Sequence, residues 1–224
     1  MAITDNLAAH WNLFDNAENT DIVASVGSNA TLLGGDNTSV LSASGPNAAV
    51  VRSLNFNNVD DAVQVSLSFS GAFSVNALCY FGGTGSYTIY GITGAFSNRL
   101  IRQNTTAFRV SFATDFTVPS MSSNTWYMVT QTRDVSNNMR IYLNGVESST
   151  GAVTVSGTIA PTRIGQGSTV FYLGRIASFS VWSRALSGAE IAELHNGGNW
   201  KVYPWASAAA IATLPIYGVE GIAA

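Results

Sequence analysis

The sequence of 224 residues predicts an all-β fold, a two-sheet antiparallel sandwich with one short C-terminal helix and an apolar C-terminal arm. Three observations predict it. Only 10% of the residues are charged against 46% hydrophobic, and much of the remainder is Ser, Thr, Asn and Gly, a composition of many short strands joined by polar turns. Short apolar runs recur along the chain between clusters of turn residues, and no long amphipathic helical pattern is present. The stretch 173–195, LGRIASFSVWSRALSGAEIAELH, reads as a final strand, a turn and a capped helix.

Taken in order, residues 7–14 form a first apolar run with the character of an edge or near-edge strand, and short strands follow at 22–26 and 30–33. Turn residues at 34–37 and 45–47 divide what comes next. Residues 49–56 and 62–67 bracket the loop Asn57-Asn58-Val59-Asp60-Asp61, an arrangement expected of a hairpin. Further strands are expected at 73–81, 87–92, 99–103 and 108–112. The strongest hairpin signal joins 125–133 to 139–143 across 134–138, with Asn144-Gly145 as the next turn. Short strands at 162–165 and 171–174 lead into the last one. There, alternation places Ala177, Phe179 and Val181 on one side and Ile176, Ser178, Ser180 and Trp182 on the other. Ser187 and Glu190 have capping-box spacing, so a helix starts at Ser187, presents Ile191 and Leu194 one turn apart, and stops at Gly197-Gly198. Two turns of helix need a sheet to pack on.

Four segments in sequence order then carry a resemblance. Leu7-Ala-Ala-His-Trp-Asn-Leu, the 53–63 segment with Asp60-Asp61, the pair Asn124-Thr-Trp-Tyr-Met-Val-Thr and Met139-Arg-Ile-Tyr-Leu-Asn-Gly-Val, and the closing stretch 174–194 together resemble the laminin-G-like, concanavalin-A-like family of lectin and glucanase domains. The resemblance spans about residues 7–198 and implies a jelly-roll sandwich. It implies a division into a laminin-G-like jelly-roll domain over 1–198 and an added arm over 199–224. Many relatives carry an acidic pair in the closing strand after Gly-x-Ile, where this chain has Ala177 and Ser178.

Charge and composition narrow the functions. Nine Arg and one Lys are spread along a chain of net charge −3, without a basic block, so no nucleic-acid role is expected. The N-terminus lacks the basic and apolar regions of a secretory signal, and the tail, interrupted by Pro215, Glu220 and Gly, is a poor membrane span; the chain reads as soluble, with no membrane partner. Cys79, the single cysteine, sits in an apolar strand and reads as a buried, inert thiol.

Glycan hydrolysis needs carboxylates flanking the scissile bond, about 5 to 5.5 Å apart in a retaining enzyme, and hence acids alternating along one strand. Glu18, Glu147, Glu190, Glu193 and Glu220 lie in no such run, and adjacent Asp60 and Asp61 would face opposite sides of a strand, so no enzyme and no catalytic residues are expected. His10, His195 and Cys79 are isolated, so no metal cluster is expected; His195 suits the C-terminal end of its helix. Relatives often hold calcium in loops, and Asp36, Asp60 and Asp61 have the right chemistry, yet turn formation explains them better, and no cofactor is expected. A sugar site would need an exposed aromatic ring with hydrogen-bonding groups beside it. Tyr87, Tyr90, Asn98 and Arg102 are the candidates, with strand packing as the competing explanation.

The arm supplies the second candidate set. Trp200, Tyr203, Pro204, Trp205, Ile211, Leu214, Ile216 and Tyr217 are too apolar for a dangling end, so they either fold back over the sandwich or dock on a neighbour, another structural protein or a second copy of the chain. The leading expectation is a non-catalytic structural or binding protein on a virion surface, a capsid-decoration or tail component of a phage with a lectin-like fold. The alternative is a carbohydrate-binding adhesion module on a bacterial cell surface. A glycoside hydrolase is kept as a remote third reading because the family contains them.

Overall fold

A computed structural model describes residues 2–13, 20–34, 42–48, 50–110, 114–148, 153–201 and 203–204. Among these residues the strands form two large antiparallel sheets packed face to face. The first sheet runs Val146–Glu147, Asn138–Leu143, Thr125–Arg133, Phe73–Phe81, Leu173–Trp182, Leu7–Asn12 and Ala24–Val26 in spatial order. The second runs Thr114–Thr117, Ala107–Val110, Ala95–Asn104, Tyr87–Ile92, Arg163–Ile164, Ala62–Gln64, Ala30–Leu33 and Asp21–Ile22. Between them Phe73, Val75, Ala77, Cys79 and Phe81 point inward from one strand and meet Ile89, Tyr90, Leu100 and Phe108 of the other sheet. Burial drives the Cys79 thiol up to about 12, despite an opposing bond to Tyr172, so it stays protonated and unreactive.

The expected strand pattern holds with two corrections. The segments around 57–61 do not form a hairpin: Arg52–Asn57 lies in the first sheet, against Leu173–Ile176, while Ala62–Gln64 lies in the second. The loop is a corner. Asn57 Oδ1 accepts from the Val59 and Asp60 amides, and Asp61 Oδ2 accepts from the Asn57 amide at 2.7 Å, turning the chain from one sheet to the other. By contrast Thr125–Arg133 and Asn138–Leu143 pair as expected, closed by Asp134 Oδ1, which accepts from the Ser136 and Asn138 amides.

The second correction concerns the closing strand. Ile176 pairs with Cys79 but Ser178 pairs with Leu78, so Ala177 is an extra residue, a β-bulge. Its carbonyl accepts from the Leu13 amide at 3.1 Å. Alternation therefore breaks at this point: Ile176 joins Phe179 and Val181 between the sheets, and Ala177 faces outward with Trp182. On the N-terminal side of the bulge the same shift turns Arg175 outward.

The outer face of the first sheet carries a second core. Leu78, Met128, Ala177 and Trp182 are covered there by Ile3, Leu186, Trp200 and the helix residues Ile191 and Leu194. Helix Gly188–His195 begins on the expected capping box, with the Ser187 amide donating to Glu190 Oε2 at 2.8 Å and the Glu190 amide donating to Ser187 Oγ at 3.3 Å. Arg184 ties this cap to the start of the chain, donating to the Ala2 and Asp5 carbonyls and pairing with Glu190 at 2.6 Å. Burial alone would raise the Glu190 carboxyl, but Arg184 and Ser187 more than offset it and hold it down at about 2. Trp182 Nε1 donates to the Ile3 carbonyl at 2.6 Å, a further tie to the N-terminus. Among the described residues no helix is long and apolar enough to cross a membrane.

The bulge gives opposite expectations for two adjacent residues. Ile176→Ala should cost about 2–5 kcal/mol in urea denaturation, as for other buried aliphatic truncations, whereas Arg175→Ala should cost less than about 1 kcal/mol. Comparable losses would mean that Arg175 is as buried as Ile176 and that the bulge is misplaced.

Candidate functional site

The outer face of the first sheet is closed over only part of its area. In strand Phe73–Phe81 the outward residues Leu78 and Tyr80 stand two apart, and their partners in Thr125–Arg133 are Met128 and Trp126. Leu78 and Met128 lie beneath the helix and Trp200. One row further along, Tyr80 and Trp126 are only half-buried, with ring centroids 5.5 Å apart and planes inclined at 58°. Arg175 is the partner of Tyr80 on its other side, and its Cζ lies 4.8 Å from the Tyr80 ring centroid. Asn55, exposed, follows Arg175 in register.

The row Asn55, Arg175, Tyr80, Trp126 thus crosses four neighbouring strands and joins two open ring systems to a guanidinium and an amide. Gly174 makes the row compact: its φ is +131°, and a side chain there would collide with the Tyr80 carbonyl. Rings of this kind offer flat apolar surface with polar edges, and the flanking groups offer directed hydrogen bonds.

The aromatic residues expected for a sugar site lie elsewhere. Tyr90 is 0% exposed and donates through its hydroxyl to Gln131 Oε1 at 2.6 Å; burial pushes its phenol well above the ordinary range. Tyr87 is 6% exposed and packs on Tyr172. Arg102 is fully buried over the Phe81 ring, donating to the Gly83 and Asn104 carbonyls. None of the three presents an open face, which corrects the expectation. Tyr87 and Tyr90 both turn inward because the register with Ala95–Asn104 slips between Leu100 and Ile101. The side chain of Asn98 lies outside the described residues.

Of the arm residues, Trp200 is buried in the second core and Tyr203 stacks near His10, with ring centroids 4.9 Å apart. These two fold back on their own sandwich. Pro204 is exposed, and Trp205, Ile211, Leu214, Ile216 and Tyr217 lie outside the described residues. Of the calcium candidates, Asp36 lies outside them too, while Asp60 and Asp61 are engaged by Asn57. Among the described residues no group of three or more His, Cys, Asp and Glu is gathered.

Two other features have site-like traits. A groove beside Ala8 comprises adjoining cavities of about 490 and 420 Å³ that share Ala8, Ser66 and Leu67. Its aromatic members Phe69, Trp11 and Phe73 are 7%, 2% and 0% exposed, so it offers no ring face. His10 joins Ser180 and Asn12, with Nδ1 2.7 Å from Ser180 Oγ and Nε2 3.0 Å from Asn12 Oδ1. A base between a hydroxyl and an orienting amide has the composition of a nucleophile site, but Ser180 is fully buried and Tyr203 lies over the imidazole. It is a sealed polar network.

With this geometry in view, the model of the concanavalin A-like lectin/glucanases superfamily matches residues 56–192. The chain belongs to that superfamily. Solved structures agree on the fold. Domain 4 of a GH43 extracellular arabinanase from Geobacillus stearothermophilus, in complex with arabinotriose, is 16% identical with a TM-score of 0.64, over 85% of this chain and 98% of that one. A sialidase from Trypanosoma rangeli is 16% identical with a TM-score of 0.63, over 88% of this chain and 33% of the sialidase. Botulinum neurotoxin type C, whose cell entry depends upon interaction with two ganglioside molecules, is 18% identical with a TM-score of 0.59, over 88% of this chain and 52% of the toxin chain. The chain therefore spans about a third of the length of the sialidase. No curated protein sequence matches it.

The sealed network makes a pH prediction. Burial holds His10 down at about 4 against an ordinary 6.5, partly offset by its bond to Asn12, so the folded state favours neutral imidazole. The associated stability is complete above pH 6.5 and is lost as pH falls toward 4, by about 3 kcal/mol in all. The stability difference between the wild-type chain and His10→Gln, followed by urea denaturation, should change in that window and be flat above it. A constant difference from pH 7 to 4 would contradict the burial of His10.

Proposed function

We propose that the chain is a non-catalytic carbohydrate-binding module that holds a sugar ring on the Tyr80–Trp126 platform, with Arg175 and Asn55 at its edge. The observation that carries the reading is the half-open pair of rings beside the covered part of the sheet face. Tyr and Trp are rigid, with apolar faces and polar edges, and such surface suits a pyranose with one apolar face and a rim of hydroxyls. The lectin and glucanase fold supports the ligand class, as do the arabinotriose of the arabinanase domain and the gangliosides of the toxin.

Non-catalytic action is supported by how the described carboxylates are used. Glu190 serves the helix cap, Glu147 pairs with Arg140, Glu193 pairs with Lys201, and Asp134 and Asp61 hold turns. Display on a virion surface stands below display on a bacterial cell surface in this reading. The one positive feature that favours a virion is an apolar arm suited to docking, and two of its residues, Trp200 and Tyr203, pack on the chain's own second core.

A glycan array probed with the wild-type chain, Tyr80→Ala and Trp126→Ala tests the reading. Bound glycans should be weakened about tenfold or more by either substitution, corresponding to about 1.4 kcal/mol or more, with circular dichroism unchanged. Absence of binding across the array, or binding indifferent to both substitutions, would overturn it.

A further inference from the structure

Resting on the glycan reading, we infer that the platform selects acidic sugars, in which a carboxylate or sulfate ester projects from the ring stacked on Tyr80 and Trp126. Arg175 is the group that selects. Arg140 and Arg184, at the same sheet face, are each closed by a glutamate, at 2.6 Å in both cases. Arg175 has no carboxylate partner among the described residues; its guanidinium donates to the Ser44 carbonyl in a long contact of 3.4 Å and is otherwise half-exposed over the Tyr80 ring. No acid stands in the row Asn55, Arg175, Tyr80, Trp126, so an incoming anion meets no like charge there.

The geometry favours recognition of an anion that presents two oxygens side by side. The 4.8 Å approach to Tyr80 restrains the guanidinium, so little side-chain freedom is left to lose on binding, and its fork can donate two parallel hydrogen bonds to one carboxylate or sulfate. Net charge sharpens the point. A chain of net charge −3 repels polyanions in general, so attraction at Arg175 would be local and tied to the rings beside it. The preference belongs to one site rather than to a basic surface.

The test is an array on which each acidic glycan is printed beside its neutral parent: sialylated with desialylated, uronic acid with carboxyl-reduced, sulfated with desulfated. The wild-type chain, Arg175→Gln and Arg175→Lys are compared at low and high salt, with a single-stranded oligonucleotide as competitor. Acidic members should bind about tenfold or more above their parents, the sialic and uronic pairs reporting on carboxylate and the sulfated pairs on sulfate. Arg175→Gln should bring the ratio of acidic to neutral binding close to one, and Arg175→Lys, which keeps the charge and loses the fork, should fall between. The preference should shrink with salt. Equal binding of acidic and neutral partners, a ratio unaffected by Arg175→Gln, or displacement by the oligonucleotide at lower concentration than by the acidic glycan would overturn the inference. No glycan bound at all would instead remove the reading on which it rests.

Discussion

One extra residue in the closing strand, Ala177, decides which side chains of that strand the molecule keeps inside. Side chains alternate with a period of two, so a single insertion exchanges the faces of everything on one side of it. In Leu173–Trp182 the exchange sends Ile176 into the core between the sheets and Arg175 out of it. Without it, the Arg175 guanidinium would enter the apolar interior and would need buried acceptors of the kind that Arg102 finds in the Gly83 and Asn104 carbonyls. The bulge also lies where the strand changes partners along one edge, from Arg52–Asn57 to Leu7–Asn12.

From that constraint follows the unequal treatment of the sheet's outer face. Beyond the bulge, Trp182 and the neighbouring Leu78 and Met128 present apolar surface that must be covered, and the chain covers it with both of its ends: Ile3 from the start, and Leu186, the helix and Trp200 from the finish. Arg184 links the two through the Ala2 and Asp5 carbonyls and Glu190. Before the bulge, Arg175 stacks on Tyr80 and needs no such cover. A face that is sealed at one end and open at the other is how a sandwich with few charges acquires a defined aromatic surface.

Sequence patterns revealed the local features and missed the long-range ones. The Ser187–Glu190 box, the 125–143 hairpin and the closing strand were legible because each signal is contained within a few residues. The corner at 57–61 was not, since Asn57 and Asp61 would serve a hairpin equally well and only distant partners, Leu173–Ile176 for one strand and Ala30–Leu33 for the other, separate the two outcomes. The site fell to the same difficulty. Tyr80 and Tyr90 occupy similar apolar strands, and what leaves one ring open and buries the other is packing from remote segments, together with register slips that strand periodicity does not announce. One signal was available: an arginine alternating with Ala177 and Phe179 on a core face lacks a partner, and that conflict marks a bulge.

The outer face of the first sheet is divided into a sealed half and an open half. Hydroxyl-radical footprinting of the purified chain, read by mass spectrometry residue by residue, measures that division directly. Tyr80 and Trp126 should be oxidised many times faster than Trp182, Trp200 and Tyr90. If Tyr80 and Trp126 were protected to the same degree as Trp182, the face would be closed throughout and the platform would not exist.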